Sequence, residues 1–145
     1  MFRWDSIGTV FSGKNFTRFN EIRNFTRLTR IESSAFGSCK AVELLFPSNI
    51  TNIGETNVCY GCPNLVSVVI ESPTLRMGQN TFRACPALQS VTLLATTPPT
   101  FEYSNDMTFN NSPNAKIYVP SEAVETYKNN AAWSKYASRI YAIQE

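Results

Sequence analysis

The sequence predicts an α/β solenoid of short parallel strands, and two observations carry that prediction. The first is a landmark that returns at a fixed step: Phe36-Gly-Ser-Cys39, then Cys59-Tyr-Gly-Cys62, then Phe82-Arg-Ala-Cys85, with 23 residues between successive cysteines. The second is the short alternating apolar run that follows each landmark: Leu44 and Phe46, Val68 and Ile70, Val91 and Leu93. A period of this length marks a chain in which each coil buries its apolar face only by stacking on its neighbours. The reading is one domain over residues 1–145, with an N-terminal helical or irregular cap (1–30), about four repeat coils (31–120) and a C-terminal helical cap (121–145).

Taken in order, residues 1–15 place Phe2, Trp4, Ile7, Val10 and Phe11 among small residues, and a solenoid gives such aromatics the job of covering its first coil. Phe16, Phe19, Ile22, Phe25, Leu28 and Ile31 then recur at every third position. That spacing predicts a short helix over Phe19 to Phe25, with Thr17 as its N-cap and Glu21 in its first turn, where a carboxylate suits the helix dipole. From Leu28 the repeat register begins: Leu28 and Ile31 align with Ile50 and Ile53, and Phe36 with Cys59 and Phe82.

Alternation within the strands assigns their faces. Leu44, Phe46, Val68, Ile70, Val91 and Leu93 point inward, and Glu43, Leu45, Ser67, Val69, Ser90 and Thr92 point outward. A fourth unit is stretched, with 27 residues from Phe82 to Phe109, and its Phe109-Asn-Asn-Ser112 landmark carries Ser for Cys. The extra length falls in the stretch from Ala95 to Asn105, a loop by its Pro, Asn and Ser content. Ile117 and Val119 then match Leu44 and Phe46, so Lys116 and Tyr118 extend the two outward rows. Ser121 is an N-cap candidate for a helical turn through Val124, Tyr127 and Lys128; Trp133 and Tyr136 suggest a second turn, and Ile140 to Ile143 a last strand.

Four cysteines and no histidine invite a zinc site built from Cys39, Cys59, Cys62 and Cys85. The repeat offers another account. Cys39, Cys62 and Cys85 share one register, about 4.8 Å apart on stacked coils, and Cys59 replaces a core Phe. Side chains in such a column point the same way, whereas a disulfide needs its Cβ atoms turned toward each other. Buried free thiols are therefore expected, with Cys59 and Cys62 the pair nearest to an exception.

Composition narrows the function. A net charge of +2 spread along the chain gives no nucleic-acid footprint, and Arg23, Arg27 and Arg30 read as a solvated face. No apolar stretch nears the roughly 20 residues of a membrane span. The start lacks the long apolar segment of a signal peptide, so the expectation is a chain that stays inside the cell or that begins downstream of its export signal. Without histidine there is no ordinary general base for a Ser or Cys nucleophile, and the six glycines form no phosphate cradle. Glu122 and Glu125 read as solvated, and the glycosylation-type triplets at Asn15, Asn24, Asn49 and Asn110 bear on a eukaryotic source alone.

The unit Phe-x-x-Cys-x-x-Leu-x-x-Val-x-Ile resembles the 23-residue leucine-rich repeat of the BspA-like family of bacterial surface proteins. The ending, from Ile117-Tyr-Val-Pro120 through Trp133 to Ile143, is similar to the C-terminal block of such proteins from gut Bacteroides. The resemblance covers roughly Asn15 to Glu145 and departs from the pattern at Cys59 and Ser112. It implies a non-catalytic, adhesin-like module at the cell surface or secreted, binding a host or microbial protein, with no cofactor, no metal and no membrane insertion. The expected binding residues are Glu43, Leu45, Ser67, Val69, Ser90, Thr92, Lys116 and Tyr118 on the parallel-sheet face. The alternative is a structural spacer, or a remnant of a larger surface array, with no ligand of its own.

Overall fold

The structure, a computed structural model, describes residues 5–104 and 107–145. Phe2 and Trp4, expected to cover the first coil, and Asn105 at the end of the loop lie outside the described residues. Among the described residues ten short strands run β1 Ser6–Ile7, β2 Arg30–Ile31, β3 Glu43–Phe46, β4 Asn52–Thr56, β5 Ser67–Ile70, β6 Arg76–Gln79, β7 Ser90–Leu93, β8 Thr100–Phe101, β9 Lys116–Val119 and β10 Ile140–Ala142. They form two parallel sheets. The first has the order β1-β2-β4-β6-β8 and the second β10-β9-β7-β5-β3, so each repeat contributes one strand to each sheet. Each sheet is five strands deep, where the landmarks alone count about four coils.

Register follows the repeat. Leu44 pairs with Val68 and Val68 with Val91, while in the first sheet Ile31 pairs with Ile53 and Ile53 with Met77. Val91 pairs with Ile117, and Ile117 with Ile140. These side chains are buried between the sheets together with Phe36, Phe46, Phe82 and Phe109. The landmark turns hold the chain in the left-handed region at fixed places: Ser34, Asn57 and Asn80 before the landmark aromatic or its Cys59 substitute, and Ser38, Gly61, Ala84 and Asn111 after it. Asparagine and glycine suit such positions, and their recurrence at one register shows that the turn is part of the repeat.

The structure corrects the sequence reading at several elements. The strands β4 and β6 stand where only apolar pairs were read, and the stretch from Ala95 to Asn105, expected as loop, contains β8. Phe19 to Phe25 is not an α-helix: a five-residue 3-10 turn spans Asn20–Asn24. An every-third spacing suits three residues per turn, so the period was right for the tighter helix. Thr17 does not cap it; its carbonyl accepts the N–H groups of Val42 and Glu43 and so joins the second sheet. Ser121 is no N-cap either, because Pro120 holds that place before a 3-10 turn at Ser121–Ala123, which leads into helix α1, Val124–Asn129.

The C-terminal block packs across the last repeat. The Trp133 indole N–H donates to the Pro99 carbonyl at 2.7 Å, and the buried Tyr127 hydroxyl donates to the Ala95 carbonyl at 2.9 Å. Phe101 stacks on Trp133 at 5.0 Å. At the other end Phe11 lies parallel to Phe36, with ring centroids 5.3 Å apart.

The two faces of β5 predict opposite responses to charge. Val68→Asp buries an unpaired carboxylate and is expected to cost several kcal/mol, against the ~5–15 kcal/mol typical of a domain. Val69→Lys, on the half-exposed side, is expected to change stability by only about 0.5 kcal/mol. Denaturant unfolding of both variants checks this, and equal destabilisation would place the register one residue out.

Candidate interaction face and the cysteine column

The eight residues singled out from sequence all lie on the outer side of the second sheet, brought together in two rows. Glu43 pairs with Ser67, Ser67 with Ser90 and Ser90 with Lys116; Leu45 pairs with Val69, Val69 with Thr92 and Thr92 with Tyr118. The side chains are half-buried by one another, and Lys116 is exposed. Alternation along each strand turns them outward while their neighbours fill the core.

Further residues at this face were not read from sequence as part of it. Tyr141 in β10 pairs with Tyr118 and extends the second row, its ring 6.0 Å from that of Tyr118 and inclined by 37°. The Lys116 ammonium lies 5.6 Å from the Tyr141 centroid. The alternation of Ile140 and Ala142 is the signal that turns Tyr141 outward. At the opposite end Arg18 makes a bidentate ion pair with Glu43, at 2.6 and 3.0 Å, so Glu43 is already engaged. Arg23 similarly grips Glu71 with its two terminal guanidinium nitrogens, at 3.1 and 2.5 Å. Sequence spacing could not join these partners, which lie 25 and 48 residues apart.

The cysteines form a buried column. All four are free and fully inaccessible to solvent. The Cys39 and Cys62 sulfurs are 3.7 Å apart. The Cys62 thiol donates to the Phe36 carbonyl at 3.0 Å and the Cys85 thiol to the Cys59 carbonyl at 3.1 Å. Ser112 keeps the pattern: its hydroxyl donates to the Phe82 carbonyl at 2.6 Å and accepts the Cys85 N–H at 2.9 Å. Hydrogen bonding to Cys39 and Cys85, reinforced by burial, pushes the Cys62 thiol up, and burial pushes Cys59 up. The hydrogen bond with Cys62 lowers Cys39, to about 7, and lowers Cys85, but all four thiols are closed to solvent, whereas a reactive cysteine is partly exposed. Among the described residues no group of three or more His, Cys, Asp or Glu side chains is arranged to hold a metal ion.

Other residues noted from sequence have structural settings. Arg30 is ion-paired with Glu32 and Glu55, while Glu122 and Glu125 are exposed. The Asn49 amide donates to the Phe25 and Leu28 carbonyls. Among the described residues, no helix is long and apolar enough to cross a membrane.

Two stacked parallel sheets built from a 23-residue unit define a repeat solenoid. Residues 8–137 match the family model described as BspA type leucine rich repeat region (6 copies), and the chain belongs to that family. No curated protein matches the chain. Repeats of this family serve in general as protein-interaction modules and are in general non-catalytic.

The column generates two predictions. Ser112→Ala leaves the Cys85 N–H and the Phe82 carbonyl unpaired in the core and is expected to cost ~1–3 kcal/mol, while Ser112→Cys restores the repeat's own residue and recovers part of it. Thermal unfolding measures both. Alkylation of the denatured protein without reductant is expected to modify all four cysteines, with no stoichiometric zinc by elemental analysis; two or fewer modified sites would contradict the free-thiol column.

Proposed function

We propose that this protein is a non-catalytic, adhesin-like module that binds a host or microbial surface protein through the outer side of its second sheet. The observation that supports this most is the bare parallel sheet itself. Parallel sheets usually have both faces covered, and here the outward rows from Leu45 to Tyr118 stay half-exposed, with Tyr141 exposed beyond them. Aligned side chains on a regular surface suit recognition of an extended protein partner. Tyrosine is also the residue type enriched where binding energy concentrates.

The same reading gives the ends of the chain their roles. The C-terminal block from Ser121 onward closes the last coil, since Trp133 and Tyr127 place their polar atoms on carbonyls of the preceding loop. The aromatics Phe11, Phe16 and Phe19, packed on Phe36 and one another, cover the first full repeat. A surface or secreted location follows from the family, whose members are typically surface-associated.

The test is capture of extracellular matrix and microbial surface proteins by the immobilised protein. Val69→Lys and Tyr118→Ala are each expected to weaken capture about tenfold or more while the thermal unfolding curve barely moves. A folded Val69→Lys protein that captures its partner unchanged would remove this face as the site and direct attention to the loop that begins at Ala95. A wild-type protein that captures nothing would favour the spacer.

A further inference from the structure

An open groove of about 520 Å³ runs beside β7 and β9, where the landmark loops meet the sheet face. Val66, Pro86 and Ala87 form its apolar part, and Gln89, Ser90, Asn114, Lys116 and Tyr118 bring two amides, a hydroxyl, an ammonium and a phenol to it. Among the described residues, the side chains of Gln89, Ser90 and Asn114 and the Tyr118 hydroxyl make no intramolecular hydrogen bond, and Lys116 makes no ion pair. Their hydrogen-bonding capacity is open to a ligand. Tyr118 lines the groove, and Tyr141 stands beside it on the neighbouring strand, 44% exposed, with its ring beneath the Lys116 ammonium.

We propose that this groove binds a carboxylated sugar, a uronic or sialic acid unit of an oligosaccharide. A pyranose offers C–H groups on its face and hydroxyls around its edge. The tyrosine rings match the first, with an apolar body and a polar tip, and the amides and hydroxyl match the second. The carboxylate is met by Lys116, whose electrostatic partner among the described residues is a ring face. An acidic peptide is the less suitable occupant. Peptide partners anchor through a side chain in a dry, well-packed pocket, and this groove is open, with polar groups interleaved with Val66, Pro86 and Ala87.

The inference goes beyond protein binding by the sheet face and shares with it Ser90, Lys116 and Tyr118 but not Val69. The two readings therefore fail separately: Val69→Lys interrogates the face, Lys116→Gln and Tyr141→Ala the groove. The experiment is calorimetric titration of the whole chain at low salt with four probes: a hyaluronan oligosaccharide, sialyllactose, a neutral chitin oligosaccharide and an oligoglutamate peptide. Binding of at least one acidic sugar is expected, with the neutral sugar about tenfold or more weaker, and the two acidic arms tell uronate from sialate. Lys116→Gln is expected to weaken the acidic sugar about tenfold, to the level of the neutral one, and added salt to reduce binding in the wild type. Tyr141→Ala is expected to abolish binding and Tyr141→Phe, which keeps the ring, to retain it. No binding by either acidic sugar, oligoglutamate binding as tightly as the sugars, or an unchanged affinity in Lys116→Gln would each overturn the proposal.

Discussion

The carbonyl of the landmark residue in one coil is met by a thiol or hydroxyl of the next, and this contact governs how the coils stack. Cys62 reaches Phe36, Cys85 reaches Cys59 and Ser112 reaches Phe82, all in a region closed to water. A buried carbonyl without a donor is costly, and the donor must be small because the neighbouring coil's backbone lies directly above it. That requirement explains two departures from the repeat. Serine can replace cysteine at position 112 because only a short donor is needed. Cysteine can replace phenylalanine at position 59 because the next coil uses its carbonyl, whatever the side chain.

Stacking in register has consequences for both surfaces. Inside, each apolar side chain falls on its equivalent, which is why Phe82 and Phe109 lie 5.9 Å apart and nearly parallel. Outside, the same register turns single residues into rows. The fold thus produces its candidate recognition surface with no dedicated loop, and the chemistry of each row is set by which residue each coil supplies. The first sheet shows how tight the stack is. A Cβ at Gly78 would lie 2.6 Å from backbone atoms of Gly54 and Glu55, so only glycine lets the strands approach this closely.

The strands of the second sheet were legible because period-2 alternation survives in Leu44-x-Phe46, Val68-x-Ile70 and Val91-x-Leu93. Those of the first sheet were not, because glycine follows the inward residue in Ile53-Gly54 and Met77-Gly78 and the register shifts between Ile53 and Thr56. The N-terminal segment hid its relation to the repeat for a different reason. Gly13 takes a left-handed conformation two residues after Phe11, as Gly61 does two after Cys59, but Lys14 stands where the thiol donor would be and the step to Phe36 is 25 residues. The outward rows could be named from alternation alone. Arg18 and Arg23 could not, since only three-dimensional stacking brings them to Glu43 and Glu71.

Those two ion pairs give the sheet face a direction. Each arginine is more than half exposed, so the pairs add little to stability. On the proposed binding role their effect would lie in recognition: near β3 and the Glu71 end of β5 the charges are already matched by bidentate partners, and a ligand docking there would have to displace one partner or bury both. At the β9 and β10 end the situation is reversed. Among the described residues Lys116 makes no ion pair and lies over the Tyr141 ring, and Tyr118 and Tyr141 present apolar area that costs little to desolvate. On the proposed binding role, a ligand that spans the whole face would therefore gain most of its affinity from the C-terminal coils, while the N-terminal coils would constrain where it lies.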